Sequence, residues 1–119
     1  MRVLVSWTVE KEVFKIFSSL KLQEVLFTKI SEQTHNIIYI KRPYIKIKLR
    51  IFSSSLRIVA RYFPEEDLLI LLFVLKKTDK NFWENIYWDK DTELRVIQRN
   101  ERINSDIKKS NYKLYPSWK

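Results

Sequence analysis

Lys46, Lys48 and Arg50 occupy alternate positions in the run Tyr44-Ile45-Lys46-Ile47-Lys48-Leu49-Arg50-Ile51. Successive side chains of a β-strand project to opposite faces, so these cations share one face with Tyr44 while Ile45, Ile47, Leu49 and Ile51 line the other. The next apolar run, Leu56 to Phe63, adds Arg57 and Arg61 on a common face after the short connection Ser53-Ser54-Ser55. A hairpin with strands at about 44–52 and 55–63 therefore carries five basic side chains on one surface, which suits a polyanion such as RNA. RNA brings its own nucleophile. A protein that aligns a ribose 2′-hydroxyl with the adjacent phosphate, and stabilises the charge developing there, needs clustered cations and no metal. A lysine crowded by other cations is also pushed toward its neutral form, which fits it for proton transfer. The same alternation equally describes the wet side of an antiparallel strand.

The rest of the chain narrows the chemistry. His35 is the only histidine and there is no cysteine, so paired-imidazole catalysis, thiolate chemistry and His-rich or Cys-rich zinc sites are excluded. Glycine is absent altogether, which removes Gly-rich phosphate loops and leaves the turns to Ser, Asn, Asp and Pro. Glu65, Glu66 and Asp67 follow Pro64 and read as a solvated hairpin tip; no metal site and no cofactor is expected. The 119 residues suit one domain. Their net charge of +9 comes mainly from residues 1–60, which hold 11 basic and 4 acidic side chains. The opening residues read as a strand and leave no room for a signal peptide. The longest apolar run, Leu68 to Leu75, falls well short of the ~20 residues of a membrane-spanning helix. The expectation is a cytoplasmic protein with no membrane partner.

The elements that must position the hairpin follow from periodicity. Arg2 to Trp7 predicts a short strand, with Thr8 capping a helix whose inward positions are Val9, Val13, Ile16, Phe17 and Leu20. Ser18-Ser19 ends or bends that helix, and Leu22, Val25, Leu26 and Ile30 mark a second one to about Gln33. Residues 34–43 fit either a short strand or an extended approach to the sheet. The uniformly apolar 68–75 predicts a central strand covered on both sides. Asn81 to Trp88 is compatible with a helical turn, and Asp91 to Lys109 with a thin amphipathic helix whose stripe is Leu94, Ile97, Ile103 and Ile107. The tail from Ser110 is expected to be extended. The fold class is α+β: a small antiparallel sheet in the order β-α-α-β-β-β, a helical pair on one face and an additional C-terminal helix.

This arrangement resembles the RelE/HigB superfamily of type II toxin–antitoxin toxins. The likeness rests on the 44–50 strand, Leu56-Arg57-Ile58-Val59-Ala60-Arg61-Tyr62, the acidic turn, and the strand ending in Leu-Leu-Phe-Val-Leu-Lys-Lys-Thr. The resemblance implies a toxin core over 1–88, with 89–119 as a C-terminal helical extension and tail outside that core. It implies a metal-independent endoribonuclease that cuts mRNA on the ribosome and is held inactive by a cognate antitoxin. Lys46 and Lys48 fall where the family's strand lysines contact the scissile phosphate, with Arg50 beside them. Arg57 falls on the arginine that stabilises the transition state. Lys77, or else Lys76, falls at the strand end where relatives carry an arginine of the leaving-group chemistry, and Tyr87 lies near a tyrosine that some relatives use. Arg50, Arg61 and Lys76 complete the RNA-binding set. Two alternatives stay open: a non-catalytic relative resembling the gyrase-poisoning ParE branch, and a non-toxic RNA-binding module that stacks bases on Tyr44, Tyr62 and Phe63.

Overall fold

Strand β1 (Arg2–Ser6) leads directly into helix α1 (Trp7–Phe14), followed by α2 (Leu20–Ser31), β2 (Ile37–Lys41), β3 (Tyr44–Ile51), β4 (Ser54–Phe63), β5 (Leu68–Lys76), α3 (Lys90–Lys108) and β6 (Tyr112–Tyr115). These come from a computed structural model that describes residues 1–33, 37–76 and 88–115. One six-stranded sheet runs in the order β2-β3-β4-β5-β1-β6. Every neighbouring pair is antiparallel except β1 and β5. The expected α+β class and the three consecutive antiparallel strands are present. Two edge strands extend them: β2 comes from the ambiguous 34–43 segment, and β6 from the tail expected to be extended. The readings placed on His35, Lys77 and Tyr87, and the helical turn expected from Asn81 to Trp88 apart from Trp88 itself, lie outside the described residues.

The central hairpin is tighter than the serine run suggested. Ile51 pairs with Ser54, so the loop is Phe52-Ser53, both at positive φ (52° and 62°). Two-residue loops of that conformation match the twist of their strands and normally recruit glycine or asparagine. With neither here, Phe52 offsets part of the steric cost by packing edge-on against Phe17, ring centroids 5.4 Å apart. Asp67 and Ser110 also hold left-handed positions.

Alternation along β3 does what the pattern required. Ile45 and Ile47 are fully buried with their cross-strand neighbours Ala60 and Ile58. The α1–α2 pair seals this face, because α3 lies on the other: Asn100 and Arg61 tie α3 to the strands through Tyr44 and Asn104. Strand β5, buried from Leu69 to Val74, is the covered central strand its composition predicted.

Two local expectations are corrected. Ser6, not Thr8, caps α1, accepting from the Val9 N–H. Thr8 instead donates its N–H (2.9 Å) and hydroxyl (2.6 Å) to Asp106 of α3. Nor does α3 bury the whole of its expected stripe: Ile103 is buried and Ile107 packs against the core, but Leu94 and Ile97 are 55% and 48% exposed, and Thr92, Val96 and Asp106 are buried as well. Hydropathy alone discounts threonine and aspartate, whose polar groups here have partners, Thr92 with Asp89 and Asp106 with Thr8. With β6 paired to β1 and Ile103 in the core, residues 89–115 are built into the fold.

A side chain of α1 and one of α3 complete the sheet. Pairing of β1 with β5 ends at Ile70, leaving backbone groups of β5 to be satisfied beyond it. Glu12 accepts from the Val74 N–H at 2.8 Å and from Arg99 at 3.1 Å, while Arg99 donates to the Leu72 carbonyl at 3.0 Å. The Arg99 guanidinium also lies 4.2 Å from the Phe73 ring centroid.

Two stability predictions follow from this architecture. Ile47→Ala should cost about 2–5 kcal/mol through a core cavity, whereas Lys48→Ala on the opposite face should stay within about 0.5 kcal/mol; denaturant melts of both variants check the face assignment. Glu12→Ala and Arg99→Ala should each destabilise by about 1–3 kcal/mol because a β5 backbone group loses its partner, and their double-mutant cycle should show a coupling of at least about 0.5 kcal/mol.

Candidate nucleic-acid interface

Register assembles the cations. Lys48 stands directly opposite Arg57, Lys46 opposite Val59 and Arg50 opposite Ser55. Directly opposed side chains share a face, so Lys46, Lys48, Arg50 and Arg57 form one cluster on the side away from Ile45 and Ile47. Lys48 and Arg50 are exposed, and Lys46 and Arg57 half-buried. Like charges set opposite one another weaken a sheet; the apolar packing of the other face holds them there.

Arg57 is the most constrained of the four. Its Nη1 donates to the Leu56 carbonyl at 3.3 Å, and its Nε is buried with no hydrogen-bond partner among the described residues. The head group therefore retains unused donors beside Lys48. Lys46 is perturbed in the expected direction. Partial burial, then the charges of Lys48 and Arg57, hold its ammonium below the usual 10.5.

The remaining expected residues separate from this cluster. Arg61 opposes Tyr44 but lies under α3, half-buried, with Nη2 on Asn104 at 3.2 Å; burial lowers its pKa. Lys76 opposes Leu56 and so belongs to the helical-pair face, away from Arg57. The aromatic residues considered for base stacking are occupied. Tyr44 stacks on Trp88 (5.2 Å, 18°), and its hydroxyl accepts from Asn100 at 2.6 Å. Tyr62 lies against Tyr39, and Phe63 packs against the core.

Sequence reasoning missed Trp88, Asn100 and Asn104, which cover the Tyr44–Arg61 end of the row. The available signal was the 4-3-4-3 spacing of Thr92, Val96, Arg99, Ile103 and Asp106, a helical stripe once polar residues are admitted. Among the described residues there is no group of three His, Cys, Asp or Glu side chains placed to hold a metal ion. None of the described helices is long and apolar enough to cross a membrane. Comparison of the chain with family models, with curated proteins and with solved structures finds no match.

The Lys46 environment gives a titration prediction. Its pKa is lower in the folded chain than in the unfolded one, so the unfolded state binds more protons in the window below 10.5. Stability from this group should accordingly rise with pH across that window. In Lys48→Ala, NMR titration of the Lys46 side chain should move upward toward 10.5; an unchanged midpoint would rule out Lys48 as a cause.

Proposed function

We propose that this chain is an RNA-cleaving toxin of the RelE/HigB kind, acting on mRNA at the ribosome and restrained by an acidic antitoxin. The observation that carries the reading is the Lys46–Lys48–Arg57 cluster, formed by register on the part of the sheet face that α3 leaves open. In this reading the 2′-oxygen of one nucleotide attacks the adjacent phosphorus and the bond to the 5′-oxygen breaks. The products are a 2′,3′-cyclic phosphate and a free 5′-hydroxyl. Arg57 and Lys48 stabilise the charge that develops on the non-bridging oxygens. Lys46, held toward its neutral form, takes the proton of the attacking hydroxyl. The proton delivered to the leaving oxygen is assigned to no described residue. An acidic antitoxin segment laid over the same cations would block substrate and neutralise the cluster together.

Arg57→Ala should lower single-turnover cleavage of a ribosome-bound message by about 10²–10³ with an unchanged melting temperature, and EDTA should leave wild-type cleavage unaffected. Wild-type rates in the variant, or strict dependence on added magnesium or manganese, would overturn the assignment. Intact transcripts with blocked DNA supercoiling on induced expression would favour the gyrase-directed alternative.

A further inference from the structure

Helix α3 has a second flank, which faces α1 across a groove. Two depressions of about 760 and 600 Å³ share Thr8, Arg99, Arg102 and Asp106 as common walls, and each is of ligand-binding size. Five cations line them: Lys11 and Lys15 from α1, and Arg95, Arg99 and Arg102 from α3. Three carboxylates are also present, Glu12, Glu101 and Asp106. Two of them are already engaged, Glu12 by Arg99 and the Val74 N–H, and Asp106 by Thr8. The groove is therefore cationic beyond its internal pairs, and Lys15 and Arg102 are both exposed.

Its position connects it to the sheet cluster. Val74 and Leu75 of β5 contribute to the lining, and Leu75 is the cross-strand partner of Arg57. At the rim, Trp7 is 53% exposed, with the Lys11 ammonium 4.3 Å from its ring centroid. Cations along a groove with an exposed aromatic surface are the combination that single-stranded nucleic acid uses, phosphates on the charges and a base on the ring.

We infer that the α1–α3 groove is a second RNA track, which takes the sugar–phosphate backbone of the bound strand beyond the nucleotides held on the sheet. Lys15 and Arg102 contact its phosphates, and Trp7 offers a stacking surface. The inference rests on the reading of the sheet face as RNA-binding and extends it to a longer stretch of the same strand. A lone phosphate would need only one of the two depressions; a polymer uses both in series and reaches Arg57 from them.

The test is fluorescence anisotropy with uncleavable 2′-O-methyl RNA of six and of twenty nucleotides, comparing wild type with Lys15→Gln/Arg102→Gln. Both substituted side chains are exposed, and a thermal melt confirms that the variant is folded. The twenty-mer should bind the variant tenfold or more weakly, while the six-mer is unaffected. Loss of two phosphate contacts should also flatten the dependence of log affinity on log salt by about 1.4. Unchanged twenty-mer affinity, or equal weakening at both lengths, would overturn the track. So would weakened binding confined to phosphatidylserine vesicles, which would make the groove a membrane-surface site. Lys48→Ala separates the two readings: if it leaves six-mer affinity intact while the groove variant still weakens the twenty-mer, the track stands and the sheet-face reading falls.

Discussion

Glu12 and Arg99 meet where β1 turns away from β5 into α1, and their contact is the constraint that organises the molecule. A parallel strand that ends early leaves its neighbour's N–H and C=O groups facing an interior with no ladder partner. Here a carboxylate takes the Val74 N–H and a guanidinium takes the Leu72 carbonyl, while the two side chains pair with each other. The ion pair thus extends the sheet by side chains where its backbone stops. Because one partner comes from α1 and the other from α3, satisfying β5 also joins the first helix to the last. Thr8 and Asp106 repeat the connection at the start of α1, where burial raises the Asp106 pKa but the two hydrogen bonds from Thr8, with Ser6 and Lys11, outweigh it and leave it lowered.

The position of α3 divides the basic row. One flank covers Tyr44 and Arg61 through Asn100 and Asn104, so the part of the row nearer the hairpin turn is not covered by α3. The cluster that results is electrostatically unfavourable to the fold, since Lys48 and Arg57 face each other across the ladder. It persists because Ile45, Ile47, Ile58 and Ala60 are completely buried on the reverse side, and their hydrophobic contribution exceeds a repulsion that water and salt screen. A face with retained mutual repulsion gains when an anion arrives, which ties the energetics of the sheet to the function proposed for it.

Much of this was legible in the chain. Strict alternation from Tyr44 to Ile51 separates two faces of a strand whatever surrounds it, because side-chain direction follows from backbone geometry. The apolar 68–75 run has one economical location, the middle of a sheet, and the missing glycine sent left-handed turn positions to Ser53, Asp67 and Ser110, with Phe52 as the exception. These are local consequences of residue type.

What the tertiary structure alone decided is which cations remain together. Arg57 and Arg61 are equivalent in the sequence, four residues apart on one face of one strand, yet one lies beside Lys48 and the other beneath α3. Lys76 follows the apolar strand directly, but its pairing with Leu56 turns it to the opposite face. The inward stripe of α3 includes arginine and aspartate, and the burial of Arg99 and Asp106 depends on partners at Thr8, Glu12 and Leu72 that are distant in the chain. Periodicity reports the burial of apolar groups because water imposes it everywhere. A polar group is buried only where another element supplies its hydrogen bond, and that meeting exists only once the chain has folded.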